Sequence, residues 1–148
     1  MNRLKPCCKR KTMTHTPLKT ELAPQAVGPY SQGIEAFIGS QKMVFVSGQI
    51  PIDPKTGKLL QGNIQEAARM CLKNIEAILH EAHLELSDVV RVEIFLTDLS
   101  NFLAFNDEYL KHFKGPVFPA RQTVEVAKLP KDAEIEISCI AIGNPKEF

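Results

Sequence analysis

The sequence lacks the features that mark several large classes of protein. Its 148 residues include no Trp and no apolar run long enough to span a membrane. No CxxC pair, phosphate-binding glycine loop or dinucleotide-binding fingerprint occurs. With 44% hydrophobic and 24% charged residues, the chain has the composition of an ordinary globular domain. At this length we expect one domain with one hydrophobic core.

Positive charge is concentrated at the N-terminus. Residues 1–20 carry six Lys/Arg and no acidic residue, whereas the remainder holds 12 basic and 17 acidic residues, a net charge of −5. Pro6 and Pro17 interrupt any helix in this segment, which also lacks the apolar run of a secretory signal. We therefore predict a flexible basic extension over 1–20 and a folded domain over 21–148. Because the domain is mildly acidic, nucleic acid is not an expected partner.

The cysteines favour a reducing compartment. Cys7 and Cys8 are adjacent, while Cys71 and Cys139 lie within apolar patterns, so buried free thiols are expected rather than a disulfide framework. We predict a cytoplasmic protein with no membrane segment. Mitochondrial targeting by the basic N-terminus is the alternative, but the segment has no Ser and forms no amphipathic helix.

Hydrophobic periodicity predicts an α+β domain with the element order ββαβαββ. Apolar residues from Ile64 to Ala82 recur at three- and four-residue steps behind an N-capping Asn63, and a second helix is predicted over about 101–113. Strands are predicted over 28–38, 43–50, 89–96, 121–126 and 134–142. Helices with one apolar side packed on a sheet form a two-layer sandwich.

The second face of the predicted sheet is also apolar. Alternation places Phe95, Ile140 and Ile142 away from the helices. An apolar face of this size needs a cover, and another copy of the chain is the simplest one.

Two partial motifs do not predict a site. His80-Glu81-Ala82-His83 is one residue short of the H-E-x-x-H pattern that stacks two zinc ligands on a helix face. Lys55-Thr56-Gly57 occurs without the S-x-x-K motif that accompanies it in penicillin-recognising enzymes. No metal site is predicted.

The strongest candidate for chemistry is an arginine at the start of a strand and a glutamate on the last strand. Arg121 and Thr123 share one strand face, and Glu136 faces away from the predicted core. We predict that Arg121 and Glu136 line one crevice, where a guanidinium can grip a small carboxylate and a carboxylate can activate water. The alternative is a structural ion pair, because such pairs imitate active sites.

Several motifs of the sequence resemble those of one family in both order and spacing. They are Gly28-Pro29-Tyr30-Ser31-Gln32-Gly33, Val46-Ser47-Gly48-Gln49-Ile50-Pro51, Asn74, Asn106, Phe118-Pro119-Ala120-Arg121 and Leu129-Pro130-Lys131-Asp132. Over about 21–143 the chain resembles the reactive intermediate deaminases, the Rid, YjgF-like or liver perchloric-acid-soluble proteins. The arginine-bearing motif is the most diagnostic of these segments.

The resemblance implies a fold like that of the small chorismate mutases, assembled as a homotrimer with active sites between subunits. It implies hydrolysis of 2-aminoacrylate and related enamines or imines, released by pyridoxal-phosphate enzymes, to 2-keto acids and ammonia. This is a 2-iminobutanoate/2-iminopropanoate deaminase activity on small imine or enamine carboxylates, with no cofactor.

By the same resemblance, Arg121 would clamp the substrate carboxylate and Glu136 would handle the attacking water. Other pocket residues would be Tyr30, Ser47, Gly48, Asn106 and Thr123. Several relatives carry Cys at the position of Thr123. Two alternative functions are a ribonuclease or translation inhibitor, and a chaperone-like binding protein.

Overall fold

A computed structural model of the chain describes residues 14–147. Its helices and strands are β1 (His15–Leu18), β2 (Gly33–Ile38), β3 (Gln41–Gln49), α1 (Ile64–Glu81), β4 (Val89–Leu96), α2 (Phe102–His112), β5 (Ala120–Glu125) and β6 (Ile135–Gly143). The strands form one six-stranded sheet in the order β1-β2-β3-β6-β4-β5. β4 and β5 are parallel, and the other neighbouring strands are antiparallel. The predicted α+β class and the chorismate-mutase-like arrangement are confirmed.

Helix α1 forms where the apolar stripe predicts it. The side-chain oxygen of Asn63 accepts hydrogen bonds from the backbone N–H groups of Gln65 and Glu66, so the first turn is capped. The apolar side of α1 is buried against β3 and β6. The chain turns after the helix at His83, whose φ of 58° lies in the left-handed region.

A buried carboxylate joins the two helices. Glu108 of α2 is only 1% exposed, and it accepts two hydrogen bonds of 2.8 and 2.9 Å from Arg69 of α1. Lys111 and His112 also contact its oxygens, each at 3.0 Å. The hydrogen bonds from Arg69, followed by those from the other two groups, lower the pKa of Glu108 to about 2. α2 is therefore fixed in position beside α1.

The predicted N-terminal extension, residues 1–20, includes residues that belong to the folded domain. Residues 15–18 form β1, which pairs with β2, and Leu18 belongs to the core at 6% exposure. The strand carries Pro17, which normally argues against a strand, but β1 lies at the edge of the sheet, where a missing N–H is tolerated. The prediction for residues 1–13 lies outside the described residues.

The two faces of the sheet differ in whether helices pack on them. Both helices pack on one face, where Val92, Ile94 and Ile137 are fully buried. The opposite face carries Phe95, Ile140 and Ile142, as their strand register requires and as the sequence predicts. Phe45 and Val124 on this face are 42% and 39% exposed.

Two of the four cysteines lie within the described residues. Cys71 and Cys139 are buried free thiols as predicted, and burial raises the pKa of Cys139 to about 12. Cys7 and Cys8 lie outside the described residues. Within residues 14–147, no helix combines the length and the apolarity that a membrane crossing requires.

Candidate active site

The direction of the Arg121 side chain follows from the pairing of β5 with β4. Arg121 is directly opposite Val92, a fully buried residue on the helix-covered face. Residues paired across neighbouring strands share a face of the sheet, so Arg121 points towards α2. There its Nη1 donates a 2.8 Å hydrogen bond to Oδ1 of Asn106. Two of the predicted site residues are thus in direct contact.

Three aromatic rings of α2 surround the same guanidinium. The Cζ atom of Arg121 lies 4.8 Å from the ring centroid of Tyr109, 5.6 Å from that of Phe102 and 5.8 Å from that of Phe105. These are cation–π distances. We call the three rings the aromatic cradle. The helical spacing of the rings indicates a shared side of α2, but nothing in the sequence pairs that side with β5.

A cavity of about 350 Å³ opens beside the guanidinium. It is lined by Asn106, Tyr109, Leu110, Phe118, Pro119 and Arg121. A largely apolar wall with one cation and one amide suits a small ligand that has a carboxylate and a hydrocarbon part. The hydroxyl of Thr123, two residues along the strand, is buried and has no hydrogen-bond partner among the described residues. It therefore cannot contact a ligand without a local rearrangement.

Glu136 lies in a different part of the molecule. It is opposite Phe95 of β4, and its chain neighbours Ile135 and Ile137 face the helices, so its carboxylate points to the other side of the sheet. It lines a second cavity of about 120 Å³ together with Tyr30, Gly48 and other residues. Burial raises the pKa of Glu136, which makes the ionised carboxylate a stronger base than an exposed one.

Gly48 leaves the space that the Glu136 carboxylate occupies. It lies where the pairing of β3 with β6 shifts register between Val46 and Gln49. A Cβ atom built on Gly48 would collide with Oε1 of Glu136 and lie 2.7 Å from its Cδ. Any larger residue at this position must displace the carboxylate.

Ser47 fixes the segment that carries Tyr30. Its hydroxyl donates a 2.6 Å hydrogen bond to the carbonyl of Ser31, and its N–H donates to the carbonyl of Gln32. Tyr30 itself is 51% exposed beside Glu136. The side chain of Ser47 is thus already engaged with the backbone, whereas Tyr30 remains accessible to a ligand.

The prediction that Arg121 and Glu136 line one crevice is wrong for a single chain. The two side chains point to opposite faces of the sheet, and β4 lies between their strands. Alternation along a strand shows which residues share a face but not which face the helices cover. The predicted site residues therefore form two separate groups, which we call the arginine half-site (Arg121 and Asn106) and the glutamate half-site (Glu136, Gly48 and Tyr30).

The two histidines of the partial zinc motif, His80 and His83, lie near the C-terminal end of α1. Within residues 14–147, no group of three or more His, Cys, Asp or Glu side chains is arranged to hold a metal ion.

The chain is similar in sequence and fold to known proteins. The family described as Endoribonuclease L-PSP matches residues 20–143. RutC family protein PH0854 of Pyrococcus horikoshii is 48% identical over 122 residues, which cover 82% of this chain and 93% of the relative. The 2-iminobutanoate/2-iminopropanoate deaminase of Salmonella typhimurium is 46% identical over 127 residues, which cover 84% and 95%.

The solved structures lead to the same family. The crystal structure of Escherichia coli TdcF with bound serine has a TM-score of 0.79 and 40% identity, and it covers 87% of this chain and 99% of TdcF. The chain belongs to the Endoribonuclease L-PSP or YjgF-like family, the reactive intermediate deaminases.

Proposed function

We propose that the protein is a hydrolytic deaminase that converts small enamine and imine carboxylates, such as 2-aminoacrylate and its imine tautomer, to 2-keto acids and ammonia. The observation that carries this proposal is the mounting of Arg121. A guanidinium that is held by Asn106 at the wall of an apolar cavity is suited to bind a small carboxylate through two parallel hydrogen bonds. The names of the Salmonella relative and of the serine complex of TdcF agree with a ligand of this kind.

Glu136 supplies the complementary chemistry in this proposal. An imine conjugated to a carboxylate is electrophilic, so the protein needs mainly to orient it and to place one water molecule. Starting from the protonated imine, the Glu136 carboxylate accepts one proton as water adds to the imine carbon, which gives a neutral carbinolamine. Glu136 then returns that proton to the nitrogen, the carbon–nitrogen bond breaks and ammonia leaves, and the remaining hydroxyl releases its proton to solvent as it becomes the keto carbonyl. The raised pKa of Glu136 favours the first of these transfers, the acceptance of the proton from water.

A complete site requires the two half-sites to meet, and one chain cannot achieve this. We propose that the chain forms a homotrimer in which the arginine half-site of one copy faces the glutamate half-site of the next. Contacts between different patches on identical subunits close into a ring when the rotation permits. The apolar, partly exposed sheet face that carries Phe45 and Val124 is suited to be covered in such an assembly.

A coupled assay tests the activity. A serine or threonine dehydratase generates the imine in the presence of semicarbazide, and formation of the semicarbazone is followed with and without the protein. We expect the wild-type protein to release keto acid in competition with the trap, and Arg121→Ala to lose this effect. If wild-type protein leaves semicarbazone formation unchanged, the proposal is wrong. RNA cleavage that persists in Arg121→Ala would instead support the ribonuclease alternative.

A further inference from the structure

We propose that the aromatic cradle is a positioning device for Arg121, and that Tyr109 and Phe102 thereby contribute to the affinity of the site for carboxylates. This inference rests on the proposed function. Phe102 and Phe105 are positioning residues, because they act through the guanidinium, whereas Tyr109 also lines the cavity, so the position of Arg121 is measured separately from ligand affinity.

The geometry restricts Arg121 in two directions. Asn106 accepts a hydrogen bond in the plane of the guanidinium, whereas the ring of Tyr109, the nearest of the three, lies 4.8 Å from its Cζ. Arg121 is an exposed residue on an edge strand, and long exposed side chains ordinarily occupy several rotamers. Contacts with a side-chain amide and with aromatic faces reduce that freedom before a ligand binds.

The cradle itself is rigid. Phe105 is fully buried, Tyr109 is 4% exposed, and the Tyr109 ring stacks on Phe113 with a centroid distance of 4.5 Å. The neighbouring residue Glu108 joins α2 to Arg69 of α1. A cation held against buried and packed rings has fewer positions open to it than one in solvent.

The cradle also leaves the guanidinium free for a carboxylate. Aromatic rings attract a cation without accepting its N–H groups as a carboxylate would, and Arg121 has no ion-pair partner among the described residues. A structural glutamate in place of the rings would compete with the substrate for the same donors. The structure thus positions Arg121 while its guanidinium N–H groups remain available to bind a carboxylate.

Four variants of the full-length protein test the proposal. Tyr109→Phe keeps the ring, Tyr109→Leu removes it, and Phe102→Leu removes a ring from a half-buried position where loss of folding is less of a risk. Phe37→Leu is the matched control, because it removes a ring that contacts a different cation, Lys42 at 5.6 Å, outside both half-sites. Two readouts are used: the NMR shift of the Arg121 Nε–H group, which aromatic faces move upfield, and the Kd for 2-oxobutanoate, a 2-keto acid product.

We expect an upfield Arg121 resonance in the wild-type, Tyr109→Phe and Phe37→Leu proteins, and its return towards the ordinary position in Tyr109→Leu and Phe102→Leu. Removal of the Tyr109 ring should raise the Kd by about tenfold, with a smaller rise for Phe102→Leu, as expected for loss of cation–π contacts. If Tyr109→Leu does not fold, the Arg121 resonance and the Kd of the Phe102→Leu variant test the proposal.

Unchanged Kd values in the folded Tyr109→Leu and Phe102→Leu variants would overturn the proposal, and so would an equal rise in Phe37→Leu. Neither readout depends on turnover. Ring-dependent binding in a wild-type protein that does not compete with semicarbazide would therefore reject the proposed deaminase activity and leave the role of the cradle supported.

Discussion

The guanidinium of Arg121 and the carboxylate of Glu136 lie on opposite faces of one sheet, on strands separated by β4. Each is surrounded by its own supporting residues. Asn106 and the aromatic cradle fix the arginine, and Gly48 leaves room for the glutamate. Two prepared half-sites that cannot meet within one chain make the assembly part of the proposed mechanism.

Replacing Arg121 by Lys tests whether the site needs a fork or only a positive charge. Lys keeps the charge but loses the planar pair of donors. Loss of one charged hydrogen bond should reduce kcat/KM in the trap assay by about 10- to 100-fold. Near-normal turnover of Arg121→Lys would show that Arg121 supplies only diffuse charge.

Gly48→Ala should inactivate the enzyme without unfolding it. The added Cβ collides with the carboxylate of Glu136, which is the mobile end of a side chain and can rotate away. Gly143→Ala is a comparable control, because its Cβ would lie 2.9 Å from an oxygen of Asp88, outside the two half-sites. We expect a large loss of deaminase activity for Gly48→Ala, little loss for Gly143→Ala, and folded proteins by circular dichroism in both cases. Equal activities would contradict the placement of Glu136.

Glu136→Gln should separate activity from stability. Burial raises the pKa of Glu136 in the folded protein, so ionisation above the ordinary pKa of 4.5 weakens the fold. The Gln variant should therefore lose turnover and yet unfold at an equal or higher temperature than wild type at pH 7. The difference in melting temperature should disappear in acid, below both pKa values. A destabilised Gln variant at pH 7 would indicate that the carboxylate is structural.

The lowered pKa of Glu108 predicts the opposite effect, because its ionised form stabilises the fold. Its pKa of about 2 in the folded protein lies below the ordinary value of 4.5, so its contribution is complete above pH 4.5 and is lost as the pH falls from about 4.5 towards 2. Glu108→Gln should lower the free energy of unfolding at pH 7 by about 2 kcal/mol. This loss is smaller than the pKa difference alone implies, because solvent screens the ion pairs of Glu108 with the exposed side chains of Arg69 and Lys111. Denaturation at several pH values measures this. A difference that does not shrink in acid would contradict it.

The sequence predicts the helices and most strands because their apolar periodicity is strong. The β4 range 89–96 agrees with the structure at both ends. β1 was missed because an edge strand of four residues with a central Pro has no periodic signal.

The candidate site was predictable as a set of residues but not as an arrangement. Strand alternation places Arg121 and Thr123 together, but β5 is largely exposed, so its composition does not show which face meets the helices. That face is decided by the register of Arg121 with Val92, a contact between distant segments. The cradle was missed for the same reason, because its rings satisfy the pattern of an ordinary core.

Complementation between two inactive variants tests the composite site most directly. Arg121→Ala and Glu136→Gln are each expected to be inactive alone. Unfolded together at equal concentration and refolded, they should form mixed trimers in which about one quarter of the sites combine an intact Arg121 with an intact Glu136. The account predicts about one quarter of wild-type deaminase activity in the mixture. A mixture that assembles into mixed trimers yet stays as inactive as its separate components would contradict it.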